Sequence, residues 1–398
     1  MNSERHLHVL ALNSGSSSLK FGLYDVGSSS VERLLAGELE SIDEKQSIFH
    51  VVNESGDAIV REHLEHVGTE EAIARIARLL AGAKIPQPQV IGHRIVHGGP
   101  RLRQSCVIDA ATLELLESAV AFAPLHLPAA LSIIRFSRLH FPTLPQVACF
   151  DTSFHSHMPD IARVLPIPRE LRAEGVERYG FHGLSCESIV RQLRKDLPSL
   201  MVIAHLGNGA SVTAVRDGAS IDTSMGLTPT GGILMGTRSG DLDPGVLVYL
   251  ARHKGLDASG IEALVDRKSG LMGISGVSGD LRRLHEAAPC NAEARLSIDM
   301  FCYYAAKSIA AMGAAALGRM DSLVFTGGIG ENDAEVRLAI CRRLALIGVR
   351  LDEALNHRGT QLISDAASPC RVLVLPCKED EQIALHARSL GLEHVREA

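Results

Sequence analysis

The sequence predicts an α/β protein of two domains, on three observations. Its 398 residues exceed the roughly 100–200 residues of a typical single domain. Segments with the period-2 alternation of strands are interspersed with segments of helical period. One pattern also occurs twice, roughly half a chain apart: a strand, a glycine turn and a second strand, in residues 8–25 and again in residues 201–217.

The two copies of this pattern match in their spacing. The first reads HVLALNSGSSSLKFGLYD and the second MVIAHLGNGASVTAVRD, and the alternation along each is typical of strands with one buried face. Asn13 is followed 12 residues later by Asp25, and His205 is followed 12 residues later by Asp217. The repeated spacing indicates a duplicated domain.

The remaining elements lie between and after these copies. An apolar strand covers Gln146–Phe150, and another, Ser322–Thr326, precedes the glycine turn GGIG, after which Glu331 and Asn332 are expected to open a helix. Helical periodicity covers residues 70–80, 110–123, 185–193 and 292–317.

A domain boundary is expected near residue 150, where Pro142 and Pro145 precede a strand and a short polar stretch follows it. We therefore expect an N-terminal domain in residues 1–150 and a C-terminal domain in residues 151–379. A helix in about 380–398 is expected to return to the N-terminal domain.

Composition excludes several classes of function. The 40 basic and 46 acidic side chains give a net charge of −6, whereas a nucleic-acid-binding protein needs a basic surface. The eight cysteines are dispersed without a C-x-x-C pair, which excludes a zinc ribbon and argues against a disulfide framework. The N-terminus lacks the apolar run of a signal peptide, and no segment approaches the roughly 20 apolar residues that span a membrane. We expect a cytoplasmic protein without membrane partners.

The glycine turns suggest phosphate binding, because closely spaced backbone N–H groups form anion sites. The P-loop pattern G-x-x-x-x-G-K-[ST] is absent, and the dinucleotide pattern G-x-G-x-x-G fails at Gly207, since Val212 occupies its third glycine position. Two hairpin turns and a strand–GGIG–helix element remain. That layout is typical of the actin/hexokinase-like two-domain ATPases.

Longer segments resemble one family in a common order. They are NSGSSSLKF (13–21), GHRIVHGG (92–99), APLHLP (123–128), FDTSFH (150–155), YGFHGLS (179–185), HLGNGAS (205–211), MGLTP (225–229), MGTRSGDLDP (235–244) and FTGGIGEN (325–332). Together they resemble the acetate kinase family from about residue 8 to about residue 390. The resemblance implies an actin/hexokinase-like fold with a duplicated ribonuclease H-like βββαβαβα core and an active site in the interdomain cleft. It also implies magnesium-dependent conversion of ATP and acetate to ADP and acetyl phosphate, by a homodimer built through the C-terminal half.

The chemistry explains which side chains this reaction needs. A carboxylate acceptor is already ionised at neutral pH, with a pKa near the value of about 4.3 for Glu, so it needs no general base. Cations must instead offset the repulsion between two anions, and guanidinium groups are bidentate donors to phosphate oxygens. By resemblance, Arg94 and Arg238 clamp the phosphoryl group, His182 and Asn208 add donors, and His126 lies nearby.

Asp151 follows a strand and could be a base, a magnesium partner or a structural cap. Because no base is needed, orienting a catalytic arginine or helping to hold magnesium is favoured. Asn13 and Glu379 match the family's magnesium positions, with manganese as an alternative ion. The family's Thr-Asn/Asp-Glu-Glu run is replaced here by Cys-Lys-Glu-Asp-Glu, and Glu379 is assigned by counting back from Ile383.

The resemblance also implies the contacts of both substrates. Expected nucleotide contacts are Lys20, His205, Leu206, Gly207, Asn208, Gly209, Asp280, Leu281, Arg282, Gly328, Ile329, Gly330 and Asn332. Expected carboxylate contacts are Arg94, Val96, Leu125, Phe181 and Pro229. A valine at position 96 favours acetate over propionate, by a factor in the range of about 10–200 for one methylene.

Three alternatives remain on the sequence alone. A propionate or other short-chain acyl kinase would share all of these motifs. A non-enzymatic actin-like ATPase would share the fold without a carboxylate pocket. A metallohydrolase would use Asp151 and the histidines, of which His93 and His97 have zinc-ligand spacing. The stretch between these two is expected to be strand, on which both would share a face, and without a third ligand packing or hydrogen bonding explains the pair better than a metal.

Overall fold

The structure is a computed structural model that describes residues 6–15, 18–28, 30–42, 44–82 and 85–397, with side chains up to residue 392. Ser16 and Ser17 of the first glycine turn lie outside the described residues, as does Ala398. The chain divides into two compact units, Met1–Ser156 with Lys378–Ala398, and His157–Cys377. The divisions lie a few residues from the expected boundaries at 150/151 and 379/380.

The first unit is built on one mixed sheet in the order β5-β4-β3-β2-β1-β6-β8-β7. Neighbours from β1 to β5 are antiparallel, whereas β1, β6 and β8 are parallel. Its elements in chain order are β1 (Leu7–Ser14), β2 (Leu19–Val26), β3 (Val31–Glu40), β4 (Gln46–Asn53), β5 (Ala58–Glu65), α1 (Thr69–Gly82), β6 (Val90–Ile95), β7 (Cys106–Val107), α2 (Ala110–Ser118), α3 (Leu127–His140) and β8 (Gln146–Phe150).

The hairpin of β1 and β2 confirms the first predicted strand pair, with Asn13 opposite Lys20. The alternating residues Leu19, Phe21 and Leu23 enter a buried cluster with the apolar face of α1. That face has the predicted helical spacing, and each isoleucine or leucine that it buries contributes about 1.5–3 kcal/mol. Burial of this face against the sheet therefore fixes the register of the hairpin.

The second unit is built on a smaller sheet in the order β11-β10-β9-β12-β13. The strands β9, β10 and β11 form an antiparallel meander, and β12 and β13 continue parallel to β9. Its elements are α4 (Asp160–Arg163), α5 (Arg169–Ala173), α6 (Gly183–Gln192), β9 (Leu200–Leu206), β10 (Ala210–Arg216), β11 (Ala219–Thr223), α7 (Pro244–Lys254), α8 (Ala258–Arg267), α9 (Gly270–Ser275), α10 (Leu281–Ala287), α11 (Ala292–Ala311), β12 (Ser322–Thr326), α12 (Gly327–Asn332), α13 (Ala334–Arg343), α14 (Glu353–Arg358) and β13 (Arg371–Val374).

The same strand order appears in both units. In the first sheet β3-β2-β1-β6-β8 repeats the connectivity of β11-β10-β9-β12-β13 in the second, including the change from antiparallel to parallel pairing. This topology confirms the duplication predicted from the two hairpin copies.

The last helix, α15 (Glu379–Glu397), belongs to the first unit and packs across β1, β6 and β8. Its approach is close: a Cβ on Gly92 of β6 would lie 2.6 Å from Cγ2 of Ile383. The buried residues Ile383, Ala384 and Ala387 fix the rotation of α15, and with it the direction of its acidic first turn.

Three local expectations are wrong. The GGIG segment is itself helical, because α12 begins at Gly327 and ends at Asn332, and α13 starts only after the capping residue Asp333. Periodicity predicted one helix through residue 123, but α2 ends at Ser118 and a short 3₁₀ turn follows. Strand β6 ends at Ile95, so the strand does not reach position 97.

Among the residues that the structure describes, no helix has both the length and the apolar character required to cross a membrane.

Candidate active site

A polar cluster lies at one edge of the first unit's sheet. The parallel strands β1, β6 and β8 end there together, and they carry Asn13, Arg94 and, one residue past β8, Asp151. Arg94 donates to Asp151 Oδ2 from Nε at 3.0 Å and from Nη2 at 2.6 Å. Its Nη1 donates to Asn13 Oδ1 at 3.1 Å. The carboxylate and the amide therefore fix the guanidinium from two sides.

The Asp151 carboxyl is 1% exposed. Burial raises its pKa from 3.8 to about 6, against the opposing attraction of Arg94, and the charge of Glu379 adds to the rise. Its second oxygen, Oδ1, has no hydrogen-bond partner among the described residues. Of the roles considered from the sequence, this geometry best suits an arginine-orienting carboxylate.

The first turn of α15 adds acidic groups to the same cluster. Asn13 Nδ2 donates to Asp380 Oδ1 at 2.8 Å and to Glu379 Oε2 at 3.3 Å. Burial and the charge of Glu379 raise the pKa of Asp380. Lys378 changes the local charge of this run, and its Nζ lies 2.9 Å from Oε1 of Glu381. Sequence reasoning missed Asp380, because three acids in a row do not reveal which one faces the sheet.

This donor set fits a hard divalent cation. Magnesium prefers carboxylate and amide oxygens and needs only one or two protein ligands, since it keeps several waters. Glu379 and Asp380 supply carboxylate oxygens in one cluster beside Asn13, whose amide oxygen accepts from Arg94. The raised pKa of Asp380 reflects negative charge held in a poorly hydrated place, which a bound cation would relieve.

Four other candidates belong to the first unit. Lys20 is exposed on β2 opposite Asn13. Val96 is buried just beyond the end of β6, and Leu125 and His126 are half-buried at the start of α3.

The two histidines with zinc-ligand spacing make different contacts. His93 Nε2 bonds to Gln146 Oε1 at 2.8 Å, and burial lowers the pKa of His93 to about 4. His97 Nδ1 accepts from the backbone N–H of Gly99 at 2.8 Å. Hydrogen bonding accounts for both contacts without a metal ion.

In the second unit, a pair of stacked histidines marks the glycine turn between β9 and β10. The rings of His182 and His205 lie 4.2 Å apart between centroids. Each is oriented through Nδ1, His182 by Ser211 Oγ at 2.9 Å and His205 by Ser185 Oγ at 2.8 Å. His182 has a left-handed backbone, with φ of 56°, at the cap of α6, a strained conformation that is common at functional sites.

Arg238 approaches the same turn. A Cβ on Gly209 would lie 3.2 Å from His182 Nε2 and 3.4 Å from Arg238 Nη1, so the ends of both side chains pack closely against this glycine. Arg238 Nη1 also donates to the carbonyl of Pro229 at 3.3 Å, which links two predicted site residues. Pro229 and Phe181 are buried in this unit.

A cavity of about 960 Å³ opens beside this turn, within the size range of small-molecule sites. Its walls include the predicted nucleotide contacts Gly207, Asn208, Asp280, Leu281, Arg282, Gly328, Ile329 and Asn332. Of the other candidates in this unit, Leu206 and Gly330 are buried, and Gly209 closes the turn by accepting from the N–H of Gly207 at 3.0 Å.

Several cavity residues were missed by the sequence analysis. His285 Nε2 lies 2.9 Å from Asp333 Oδ2, and Glu335 and His357 also line the cavity. Asp333 is a helix cap, and capping explains it locally without any ligand. No motif signals these residues, because they come from α10, α13 and α14 and meet only in the folded chain.

Comparison with known proteins gives concordant results. Residues 8–385 match the model of the Acetokinase family. The chain is 40% identical to the acetate kinase of Chromobacterium violaceum, over 96% of this chain and 98% of that protein. It is 43% identical to the acetate kinase of Deinococcus radiodurans, over 94% and 96% of the two chains.

Solved structures agree. A propionate kinase from Francisella tularensis superposes with a TM-score of 0.90 at 37% identity, over 96% of this chain and 100% of that one. The acetate kinase of Porphyromonas gingivalis gives a TM-score of 0.84 at 35% identity, over 96% and 99%. The predicted fold class, α/β with two actin/hexokinase-like domains, is confirmed by these similarities.

Proposed function

The chain belongs to the acetokinase family and is a kinase with a carboxyl group as acceptor, and on that premise we propose that it transfers the γ-phosphoryl group of ATP reversibly to acetate. The products are acetyl phosphate and ADP. The observation that carries the proposal is the convergence of Arg238 and His182 on Gly209, in the turn whose Gly207 and Asn208 line the large cavity.

Direct in-line transfer suits this set of side chains. The acetate oxygen attacks the γ-phosphorus, the bond to the β,γ-bridging oxygen breaks, and ADP leaves with that electron pair. Acetate needs no deprotonation, so the protein contributes positioning and positive charge. Arg94 and Arg238 stabilise the charge on the phosphoryl oxygens, and His182 and Asn208 add hydrogen-bond donors. An arginine in this role is worth about 10³–10⁵ in rate.

Asp151 acts through Arg94. Its Oδ2 accepts two hydrogen bonds from the guanidinium, which leaves Arg94 few alternative orientations. Burying a carboxylate costs free energy, as the raised pKa of Asp151 records, and a preoriented arginine offsets that cost in the transition state.

Magnesium is the proposed metal, with Asn13, Glu379 and Asp380 as the residues that would hold it, directly or through its waters. When bound, the ion neutralises phosphate oxygens of the nucleotide. The nucleotide itself occupies the cavity formed by the turns at Gly207 and Gly328 and by the start of α10.

Acetate is preferred to propionate because Val96 is a buried, branched side chain where a smaller residue would admit another methylene. The similarity to the Francisella tularensis propionate kinase keeps propionate as the second candidate acceptor. One methylene discriminates by about 10–200-fold, so propionate is expected to be a poorer but measurable substrate.

We also propose a cytoplasmic homodimer built through the second unit. None of the residues of α7, all of which the structure describes, is buried, and this helix exposes Val246, Leu247, Val248 and Tyr249. Such an apolar surface is typical of a protein–protein contact.

A coupled assay of ADP release with acetate, propionate and butyrate in parallel tests the proposal. We expect turnover that requires a carboxylate, with acetate best, and acetyl phosphate formed in equal amount to ADP. ADP release without acetyl phosphate would instead indicate an actin-like ATPase. Activity that is indifferent to ATP and abolished by a zinc chelator would indicate a metallohydrolase. Equal kcat/KM for acetate and propionate would contradict the role of Val96.

A further inference from the structure

Arg337, on α13, is the largest of the side chains that the structure buries almost completely, with 2% exposure. Its guanidinium makes four hydrogen bonds, all as a donor. Nη1 donates to the carbonyls of Gly330 at 3.0 Å and Glu331 at 2.9 Å, while Nε and Nη2 donate to Oδ1 and the carbonyl of Asn356 at 2.8 and 3.0 Å. Five fixed donors in one plane are a property of arginine alone.

These partners belong to two walls of the nucleotide cavity. Gly330 and Glu331 lie in α12, between the cavity residues Ile329 and Asn332. Asn356 lies in α14 and immediately precedes His357, another cavity residue. Arg337 therefore joins α12 to α14 from behind, and it does not itself line the cavity.

The first residue of α12 is held by the side chain of Glu331, whose carbonyl Arg337 also holds. Glu331 Oε1 accepts from the N–H of Gly327, the first residue of α12, at 3.0 Å, and from the N–H of Cys377 at 2.9 Å. Loss of Arg337 would therefore free the last carbonyls of α12 and its spacing from α14, while the side-chain contacts of Glu331 with Gly327 and Cys377 remain. The effect should be local to the cavity walls.

The charge of Arg337 is also unusual for a buried group. Among the described residues, none of the carboxylates forms an ion pair with it, and its hydrogen bonds go to carbonyl and amide oxygens. Burial lowers the pKa of Arg337, with Asp333 opposing the change, but a guanidinium remains charged at neutral pH. This positive charge behind the cavity wall, offset only in part by Asp333, favours an anionic ligand there.

We infer that Arg337 is a positioning residue for the nucleotide: it sets the separation of the α12 and α14 walls and so controls nucleotide affinity, without contacting the carboxylate acceptor. This inference rests on the proposed function only in taking ATP and ADP as the cavity's ligands. A purely structural role would instead lower stability and affect both substrates alike.

The test compares Arg337→Met, Arg337→Lys and the matched control Arg342→Met, measuring ADP binding by calorimetry and the KM values for ATP and acetate. Arg342 lies on the same helix but is largely exposed, and it pairs with Glu353 at 2.7 Å. Its loss should leave ADP binding and both KM values unchanged. For Arg337→Met we expect the Kd for ADP and the KM for ATP to rise about tenfold, equivalent to about 1.4 kcal/mol. The KM for acetate should stay within about twofold of the wild-type value. Arg337→Lys keeps the positive charge but not the planar set of five donors, and it should recover part of the lost ADP affinity.

Asn356→Ala provides a second route if Arg337→Met does not fold, because it removes one acceptor and leaves the arginine in place. It should weaken ADP binding several-fold, again with little change in KM for acetate. A folded Arg337→Met that binds ADP like the wild type, or equal rises in both KM values, would overturn the inference. A wild-type protein that fails to bind ADP would instead overturn the proposed function.

Discussion

Replacing Asp151 by asparagine should affect stability and catalysis in opposite directions. The Asp151 carboxyl is 1% exposed, and burial outweighs the attraction of Arg94 in raising its pKa from 3.8 to about 6. Asparagine has nearly the shape of the protonated carboxyl and carries no charge. The variant therefore removes a buried charge while it keeps one oxygen for Arg94.

The size of the stability change follows from the linkage between proton binding and folding. Between pH 3.8 and about 6 the folded protein binds a proton that the unfolded chain does not, so the contribution of Asp151 to stability is present at low pH and is lost as pH rises through about 6. At about 1.4 kcal/mol per pH unit, the loss amounts to about 3 kcal/mol. We expect Asp151→Asn to be more stable than the wild type by up to that amount at pH 8, and by about half of it at pH 5.

The kcat of Asp151→Asn should fall, although its stability rises. With a neutral amide in place of two charge-assisted hydrogen bonds, Arg94 is held less firmly. A small misplacement of a catalytic group costs about 100-fold in rate, and we expect a loss of kcat of that size or more.

Urea denaturation followed by far-UV circular dichroism at pH 8 and pH 5 measures the first effect, since the chain has no tryptophan for fluorescence. Acetyl phosphate formation measures the second. Asp222→Asn is the matched control: burial also raises the pKa of Asp222, which lies on β11 in the second unit, and its variant should keep full activity. A wild type more stable than Asp151→Asn at pH 8 would refute the reasoning, because the attraction of Arg94 would then outweigh desolvation.

Two further predictions concern substrate and metal. Val96→Ala should raise the kcat/KM for propionate relative to acetate by about tenfold or more, measured with both acids as competing acceptors; an unchanged ratio would place the pocket elsewhere. Asp380→Asn should raise the magnesium concentration for half-maximal activity, because Asp380 is the acid closest to Asn13. Glu381→Gln, whose parent side chain pairs with Lys378, is the control and should leave that concentration unchanged.

The sequence predicts well those elements whose local signal and tertiary context agree. The strands Gln146–Phe150 and Ser322–Thr326 have the expected bounds, since each is a short apolar run that is buried along its whole length. The parallel neighbours β1, β6 and β8 also explain why Asn13, Arg94 and Asp151 meet, although pairing order is not visible in the chain.

Elements stabilised by distant residues are not predicted. Three of the first four residues of α12 are glycines, each less favourable in a helix than alanine by about 1 kcal/mol, so the local signal is for a turn. The helix forms because Glu331 holds its first N–H and Arg337 holds its last carbonyls. Similarly, the rotation of α15 that brings Asp380 to Asn13 depends on the packing of Ile383 and is not encoded in the acidic run.

The most direct measurement of the central claim is the stoichiometry of acetyl phosphate and ADP formed from acetate, ATP and magnesium, in the wild type and in Arg238→Ala. We expect one acetyl phosphate for each ADP in the wild type. In the variant we expect a rate lower by about 1,000-fold or more, with ADP binding retained. Arg238→Ala that kept full acetate-dependent turnover would contradict the phosphoryl-clamp mechanism, and a wild type that released ADP without acetyl phosphate would contradict the proposed reaction.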